Sequence, residues 1–268
     1  MKNILITGHE GFIGKNLYKK LNTVTRVREN IVHGIEKPFN YDPSKGLEDL
    51  VKKSDVIFHI GAISDTSLQD ANEMMFYNYQ KSKILFDLAQ KHNKQVVYSS
   101  SAAVYGKEGV PSNIYGWSKL AAEDYGMATC DKFVSLRYFN VYGPGEDHKG
   151  KMASVAFQGW DSKRFKLFPG NPKRDFIYID DIVSANIAAM DAKKGIYEVG
   201  YGEARTFEDL LDGMEIKYDY HRKNKIPFWY QNYTCADVKK RIPGWEPKFN
   251  VEKGTAEYKK YLLKQYGK

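Results

Sequence analysis

An apolar run that breaks into three glycines at fixed spacing constrains this chain more than any other feature. Ile4-Leu5-Ile6-Thr7 is followed by Gly8-His9-Glu10-Gly11-Phe12-Ile13-Gly14, and a helical pattern opens at Phe12. A strand that turns into a helix across such a loop predicts the first unit of a dinucleotide-binding domain. Gly8 permits the tight turn, Gly11 lets the backbone approach a pyrophosphate, and Gly14 lets the helix pack close. The helix N-terminus then faces the negative charge. Glu10, Phe12 and Ile13 belong to the same candidate cofactor-binding segment. An ordinary glycine turn is the alternative, and it requires neither the strand before nor the helix after.

The first half of the chain goes on alternating short apolar runs with amphipathic stretches, which predicts an α/β fold with a Rossmann-type doubly wound parallel sheet. Strands are expected at 3–7, 24–28, 55–61, 95–100 and 133–140, and helices at 12–21, 47–53, 72–92 and 115–128. Residues 30–43 are compact and hard to read. After Gly143-Pro144 glycine, proline, lysine and aromatic residues follow without clear periodicity, as in a smaller C-terminal lobe of loops and short elements. An apolar strand and helix return at 177–192, the stretch from Gly200 reads as irregular, and a last helix is expected near 251–263. The dinucleotide-binding domain is expected over 1–143 with a return segment at 176–200, and the second lobe over 144–175 and 201–268.

Composition narrows the class without naming a function. At 268 residues, 42% hydrophobic and 28% charged, the chain can bury a sizeable core. Cys130 and Cys235 are far apart and lack metal-ligand spacing, so neither a disulfide framework nor a metal site is expected, and a reducing, cytoplasmic setting is the simpler reading. The apolar run at the N-terminus is too short for a signal-peptide core, and no stretch approaches the length of a membrane helix. The net charge of +8 comes from scattered lysines and arginines, not from a basic tract interleaved with aromatics. It reads as a solvated surface that draws in phosphorylated ligands, with no nucleic-acid partner.

Chemistry is suggested by Tyr115-Gly116-Trp117-Ser118-Lys119, about a hundred residues beyond the glycine loop. On a helix, the four-residue spacing puts phenol and ammonium on one face. A free phenol has a pKa of about 10, and an adjacent cation would favour the phenolate and make a usable base. Ser99-Ser100-Ser101 closes a strand upstream, and a serine there either caps a turn, the reading given to Ser99 and Ser100, or donates to a reacting oxygen, the reading given to Ser101. Cofactor choice should be set near the end of the second strand. Arg26 and Arg28 stand there, with Glu29 next, and favour the 2′-phosphate of NADP over NAD unless they only decorate an exposed edge.

The order glycine loop, serine, then Tyr-x-x-x-Lys resembles the extended short-chain dehydrogenase/reductase family over nearly the whole chain. Arg137–Pro144, His148–Phe157, Lys166–Phe168, Lys173–Phe176 and Tyr233–Asp237 are similar to its heptose 6-epimerase branch. The resemblance implies catalytic roles for Ser101, Tyr115 and Lys119 and a place for Asp42 near the adenine. It implies a second acid/base group at Lys149, within His148-Lys149-Gly150. It also implies a nucleotide-diphosphate-sugar substrate held by Asn140, Lys149, Lys166, Phe168, Arg174 and Tyr233, and a homo-oligomer is expected. A lysine active near neutral pH would need its pKa depressed by burial or by neighbouring cations.

The reading is an epimerase that oxidises and re-reduces one sugar carbon with tightly bound NADP. A 4-epimerase, a keto-sugar reductase and a non-catalytic NADP(H)-binding regulator are the alternatives. A reductase would consume external NADPH, and a sensor would have no use for an activated phenol.

Overall fold

The computed structural model describes residues 2–24, 32–35, 46–222, 226 and 230–267. In chain order the first elements are β1 (Ile4–Thr7), α1 (Phe12–Val24), β2 (Val32–Ile35), α2 (Glu48–Lys53), β3 (Val56–His59) and α3 (Ala71–Met75). Next come α4 (Lys81–Lys91), β4 (Gln95–Ser101), α5 (Ile114–Thr129), β5 (Phe133–Tyr138), β6 (Asn140–Tyr142), α6 (Val155–Ser162) and β7 (Arg164–Leu167). The last are β8 (Lys173–Tyr178), α7 (Ile179–Ala189), β9 (Gly195–Val199), β10 (Ala204–Thr206), α8 (Phe207–Gly213), β11 (Lys217–Tyr220) and α9 (Val251–Tyr266). The chain divides into two compact units, one of Met1–Arg137 with Val183–Tyr197 and one of Tyr138–Ile182 with Glu198–Lys268.

The first unit is the Rossmann-type α/β layer structure. Among the described residues its sheet has six strands in the order β2-β1-β3-β4-β5-β9. β1 pairs parallel with β2 and β3, and β3 pairs parallel with β4. All four residues of β1 and of β3 are buried, as a parallel sheet covered by helices requires. Phe86 of α4 packs edge-on against Tyr98 and Phe133, at 5.5 and 5.0 Å between ring centroids. Register aligns Thr7 with His59 and His59 with Tyr98, so β1 and β3 end level and β4 runs on three residues further to Ser101. In open α/β sheets that carboxyl edge is where ligands bind.

Of the second strand expected at 24–28, Val24 closes α1 and residues 25–28 lie outside the described residues; the strand beside β1 is Val32–Ile35. Leu17 and Leu21, four apart and buried, carry the helix past its expected end at Leu21. The helix expected at 72–92 runs from Ala71 to Lys91 but is interrupted by a π-turn over Phe76–Gln80, where the Lys81 N–H reaches back to the Phe76 carbonyl. Apolar periodicity does not register such a turn. It widens the coil at Asn78, whose side chain is occupied elsewhere.

The second unit contains a three-stranded sheet, β10-β8-β6, and a two-stranded one, β11-β7. Much of it falls in sequence that lacked clear periodicity. The stretch after Gly200 folds into β10, α8 and β11 because Thr206 and Asp209 form a reciprocal capping box at the start of α8, with Leu210, Leu211 and Ile216 buried beyond it. In α9, Tyr258 and Leu262 turn one face into this unit's core.

Candidate active site

The glycine loop begins where β1 ends at Thr7. Gly8 has φ +71°, and a Cβ there would lie 2.6 Å from the Cα of Gly61, on the loop after β3. The Gly11 N–H closes the turn on the Gly8 carbonyl at 3.1 Å, and Lys15 N–H to Gly11 carbonyl opens α1. A Cβ at Gly14 would sit 2.0 Å from the Gly8 oxygen, so helix and loop are in backbone contact. Phe12 is buried, Ile13 half-buried and Glu10 exposed. The first turn of α1 carries no acidic side chain to neutralise its positive end. This bare backbone cradle fits the diphosphate of a dinucleotide, with Gly8, Gly11, Phe12, Ile13 and Gly14 as the residues that would hold it. Arg26, Arg28 and Asp42, the other candidates for cofactor contact, lie outside the described residues. Glu36 was not singled out from sequence; it follows the last residue of β2. The signal available was Val32-His33-Gly34-Ile35-Glu36, a short run with apolar ends followed by an acid.

β4 and α5 bring Ser101, Tyr115 and Lys119 together. Asn113 caps α5 by accepting the Gly116 N–H at 2.7 Å, which fixes the helix start and hence the direction of Tyr115. Ser101, last in β4, accepts the Ala103 N–H at 3.1 Å and so caps the short 3₁₀ turn Ala102–Tyr105. The turn cap is thus Ser101 itself and not Ser99 or Ser100, both of which are buried within the strand. The Ser101 hydroxyl also bonds the Tyr115 phenol. Burial raises the Tyr115 pKa, and the bond from Ser101 opposes that rise.

Lys119 departs from expectation in one respect. The residue is 3% exposed, and its ammonium donates to the Ser99 carbonyl at 2.7 Å and lies 5.0 Å from the Tyr98 ring centroid and 6.0 Å from that of Tyr115. A buried cation needs an acceptor, and the Ser99 carbonyl supplies it. Burial lowers the Lys119 pKa to about 7, and Glu123, one turn further along α5, opposes the shift. The Tyr115 pKa is set by burial and by Ser101, without the lowering by an adjacent ammonium that the sequence suggested.

The second unit carries the remaining candidates. Asn140 is exposed at the start of β6. Lys149 is half-buried in the turn Asp147–Met152, and burial lowers its pKa while Glu146 pulls the other way. Glu146, fully buried, organises this turn: it accepts from Gly143 N–H at 3.1 Å, Ser154 Oγ at 2.7 Å, Tyr258 Oη at 3.1 Å and Ser154 N–H. Phe168 and Arg174 share a neighbour that sequence reading missed. Tyr230 lies 5.0 Å from Phe168 between ring centroids, and Arg174 sits over its ring at 5.1 Å. Arg174 is buried and also donates to the carbonyls of Lys173 and Gln231. Lys166 is exposed, and Tyr233 is 63% exposed beside Lys173. Tyr230 ends the run Phe228-Trp229-Tyr230, too short for a periodic signal.

No group of His, Cys, Asp or Glu side chains among the described residues is arranged to hold a metal. No helix among them is long and apolar enough to cross a membrane.

Residues 4–200 match the NAD dependent epimerase/dehydratase family. The chain is 33% identical to the ADP-L-glycero-D-manno-heptose-6-epimerase of Brachyspira hyodysenteriae, over 98% of this chain and 99% of that protein. It is 35% identical to the enzyme of the same name from Alkalilimnicola ehrlichii, over 95% and 96%. The crystal structure of the Helicobacter pylori ADP-L-glycero-D-manno-heptose-6-epimerase superposes with a TM-score of 0.82 at 28% identity, covering 97% of this chain and 96% of that one. By sequence and by fold, the chain belongs to the NAD-dependent epimerase/dehydratase family, as an enzyme of the nucleotide-sugar epimerase kind.

Proposed function

We propose that the protein inverts one carbon of a nucleotide-diphosphate sugar, ADP-glycero-manno-heptose at C6, by transient oxidation and re-reduction. The pairing of Ser101 with the Tyr115 phenol carries this reading, because it sets two proton-handling groups side by side at the end of β4, in the sheet whose β1 leads into the glycine loop. Near-full-length relatives named for this sugar support the choice of substrate.

Bound nicotinamide cofactor supplies the hydride acceptor and donor. The protein's own residues handle the proton. As the carbinol C–H bond gives up hydride, the hydroxyl proton passes to Tyr115 Oη while Ser101 Oγ–H donates to the same oxygen. Burial raises the Tyr115 pKa, so the phenol acts as a base only under the influence of nearby positive charge. Lys119 and an oxidised nicotinamide are the two sources. Return of hydride to the opposite face leaves an oxygen that one tyrosine cannot serve from both sides. We assign that second proton to Lys149, whose burial lowers its pKa, so that its ammonium gives up a proton to the oxygen more readily than an exposed lysine would and takes one back in the reverse direction. Arg174 and Asn140 are assigned to the diphosphate, and Lys166, Phe168 and Tyr233 to the nucleoside end.

The place of β2 bears on the cofactor. The NADP reading rested on arginines near the end of the second strand, and that strand ends at Ile35 with Glu36 next. An acid in this position bonds the adenosine ribose hydroxyls and repels a 2′-phosphate, so we infer NAD in place of NADP. Incubation with both C6 epimers of ADP-glycero-manno-heptose, followed by NMR of the sugar, tests the function. Interconversion without added NAD(P)H is expected, and stoichiometric consumption of NADPH would make the enzyme a reductase instead.

A further inference from the structure

Buried hydrogen bonds run from the glycine loop to the helix turn that carries Tyr115, and every link lies in the first unit. The Gly61 N–H donates to Thr7 Oγ1 at 3.1 Å, and Thr7 Oγ1 lies 2.8 Å from His59 Nδ1. His59 Nε2 lies 2.8 Å from Ser82 Oγ, whose hydroxyl donates to the Asn78 carbonyl at 2.6 Å. Asn78 Nδ2 is 3.0 Å from Ser118 Oγ, and the Ser118 hydroxyl donates to the Tyr115 carbonyl at 2.8 Å. Thr7, His59, Asn78, Ser82 and Ser118 are each at most 1% exposed.

The direction of the chain is fixed by its ends. A carbonyl only accepts, so Ser82 gives its one hydrogen to Asn78 and must accept from His59. The imidazole then carries its hydrogen on Nε2 and leaves Nδ1 to accept from Thr7, which accepts in turn from the Gly61 N–H. One tautomer satisfies every link. Burial, reinforced by Lys119, lowers the His59 pKa to about 3, so the ring is neutral wherever the protein is folded near neutrality. Gly61 is also the residue whose Cα would meet a Cβ on Gly8, so the loop's seat and the first link of the chain coincide.

We propose that His59 is a positioning residue that holds the glycine loop in register with the turn of α5 bearing Tyr115 and Lys119. Neither end of this chain is sequence-local to the other, and the ring spans them through β3, the π-turn and α4. The proposal rests on the dinucleotide reading of the glycine loop. It does not depend on which sugar is bound.

The test is NAD+ affinity by calorimetry, with folding checked by circular dichroism, together with nitrogen-15 NMR of the His59 ring in the parent. Ser82→Ala cuts the middle link from α4, outside both the glycine loop and α5. Thr7→Val removes a hydroxyl with little change of shape, and Thr7→Ser keeps it. Losing one link should weaken NAD+ binding about three- to tenfold in Ser82→Ala and in Thr7→Val, with Thr7→Ser close to the parent. The double variant should be no weaker than the worse single one, because both cut the same chain. The ring should show a protonated Nε2 and an unprotonated Nδ1. A folded Ser82→Ala that binds NAD+ as the parent does would overturn the proposal, as would summed effects in the double variant or a protonated Nδ1. A parent that does not bind NAD+ would instead remove the dinucleotide reading itself.

Discussion

The Lys119 ammonium is held by the Ser99 carbonyl at 2.7 Å, with the Tyr115 ring centroid 6.0 Å away. The strand that ends in Ser101 therefore anchors both partners of Tyr115: its hydroxyl at Ser101 meets the phenol, and its carbonyl two residues earlier holds the lysine. This division of labour separates the group that touches the phenol from the group that supplies charge. It also leaves the lysine in a site where burial lowers its pKa to about 7.

Tyr115→Phe removes the proton-transfer oxygen and little else. Turnover should fall by about 10²-fold or more while NAD+ affinity and the thermal midpoint stay near the parent values. Near-normal turnover in steady-state kinetics would remove Tyr115 from the chemistry.

Lys119 should leave a mark on stability against pH. Its folded pKa is depressed from 10.5 to about 7, so between those values the unfolded chain binds more protons than the folded one. Stability then rises with pH across that window, and the contribution is lost as pH falls to about 7. Denaturant titrations from pH 7 to 10 should show this rise in the parent, and a flatter profile in Lys119→Met.

On the cofactor, Glu36 after β2 predicts tighter binding of NAD+ than of NADP+, with the preference weakened in Glu36→Ala. Calorimetry on the parent decides between the two. NADP+ binding as tightly as NAD+ would return the reading to Arg26 and Arg28.

Lys149→Met should lower kcat for epimer interconversion far more than it raises KM, since the proton transfer it removes weighs more than one contact to the substrate. A raised KM at constant kcat would make Lys149 a phosphate anchor.

Glu146→Gln places an amide donor among four donors in a buried site. It should cost about 1–3 kcal/mol of stability and loosen the turn that carries Lys149, read by denaturant unfolding and by faster amide exchange at Gly150 and Lys151.

The sequence alone determined the features that depend on near neighbours. The glycine loop declares itself because a strand, a turn and a helix must follow one another within a dozen residues, and Tyr115 and Lys119 pair because four residues make one helical turn. The parallel sheet follows from repeated apolar runs with helices between them. What the tertiary structure decided are relationships between residues remote in the chain. Val32–Ile35 is a strand because it pairs with β1, a partnership that local composition does not reveal. Lys119 turns to Ser99, and Tyr230 lies between Phe168 and Arg174, because burial obliges each polar or aromatic group to find a partner wherever the fold provides one. The tautomer of His59 is set the same way. Its two nitrogens meet Thr7, 52 residues away, and Ser82, 23 residues away, and only the packed unit brings those hydroxyls to opposite sides of one ring.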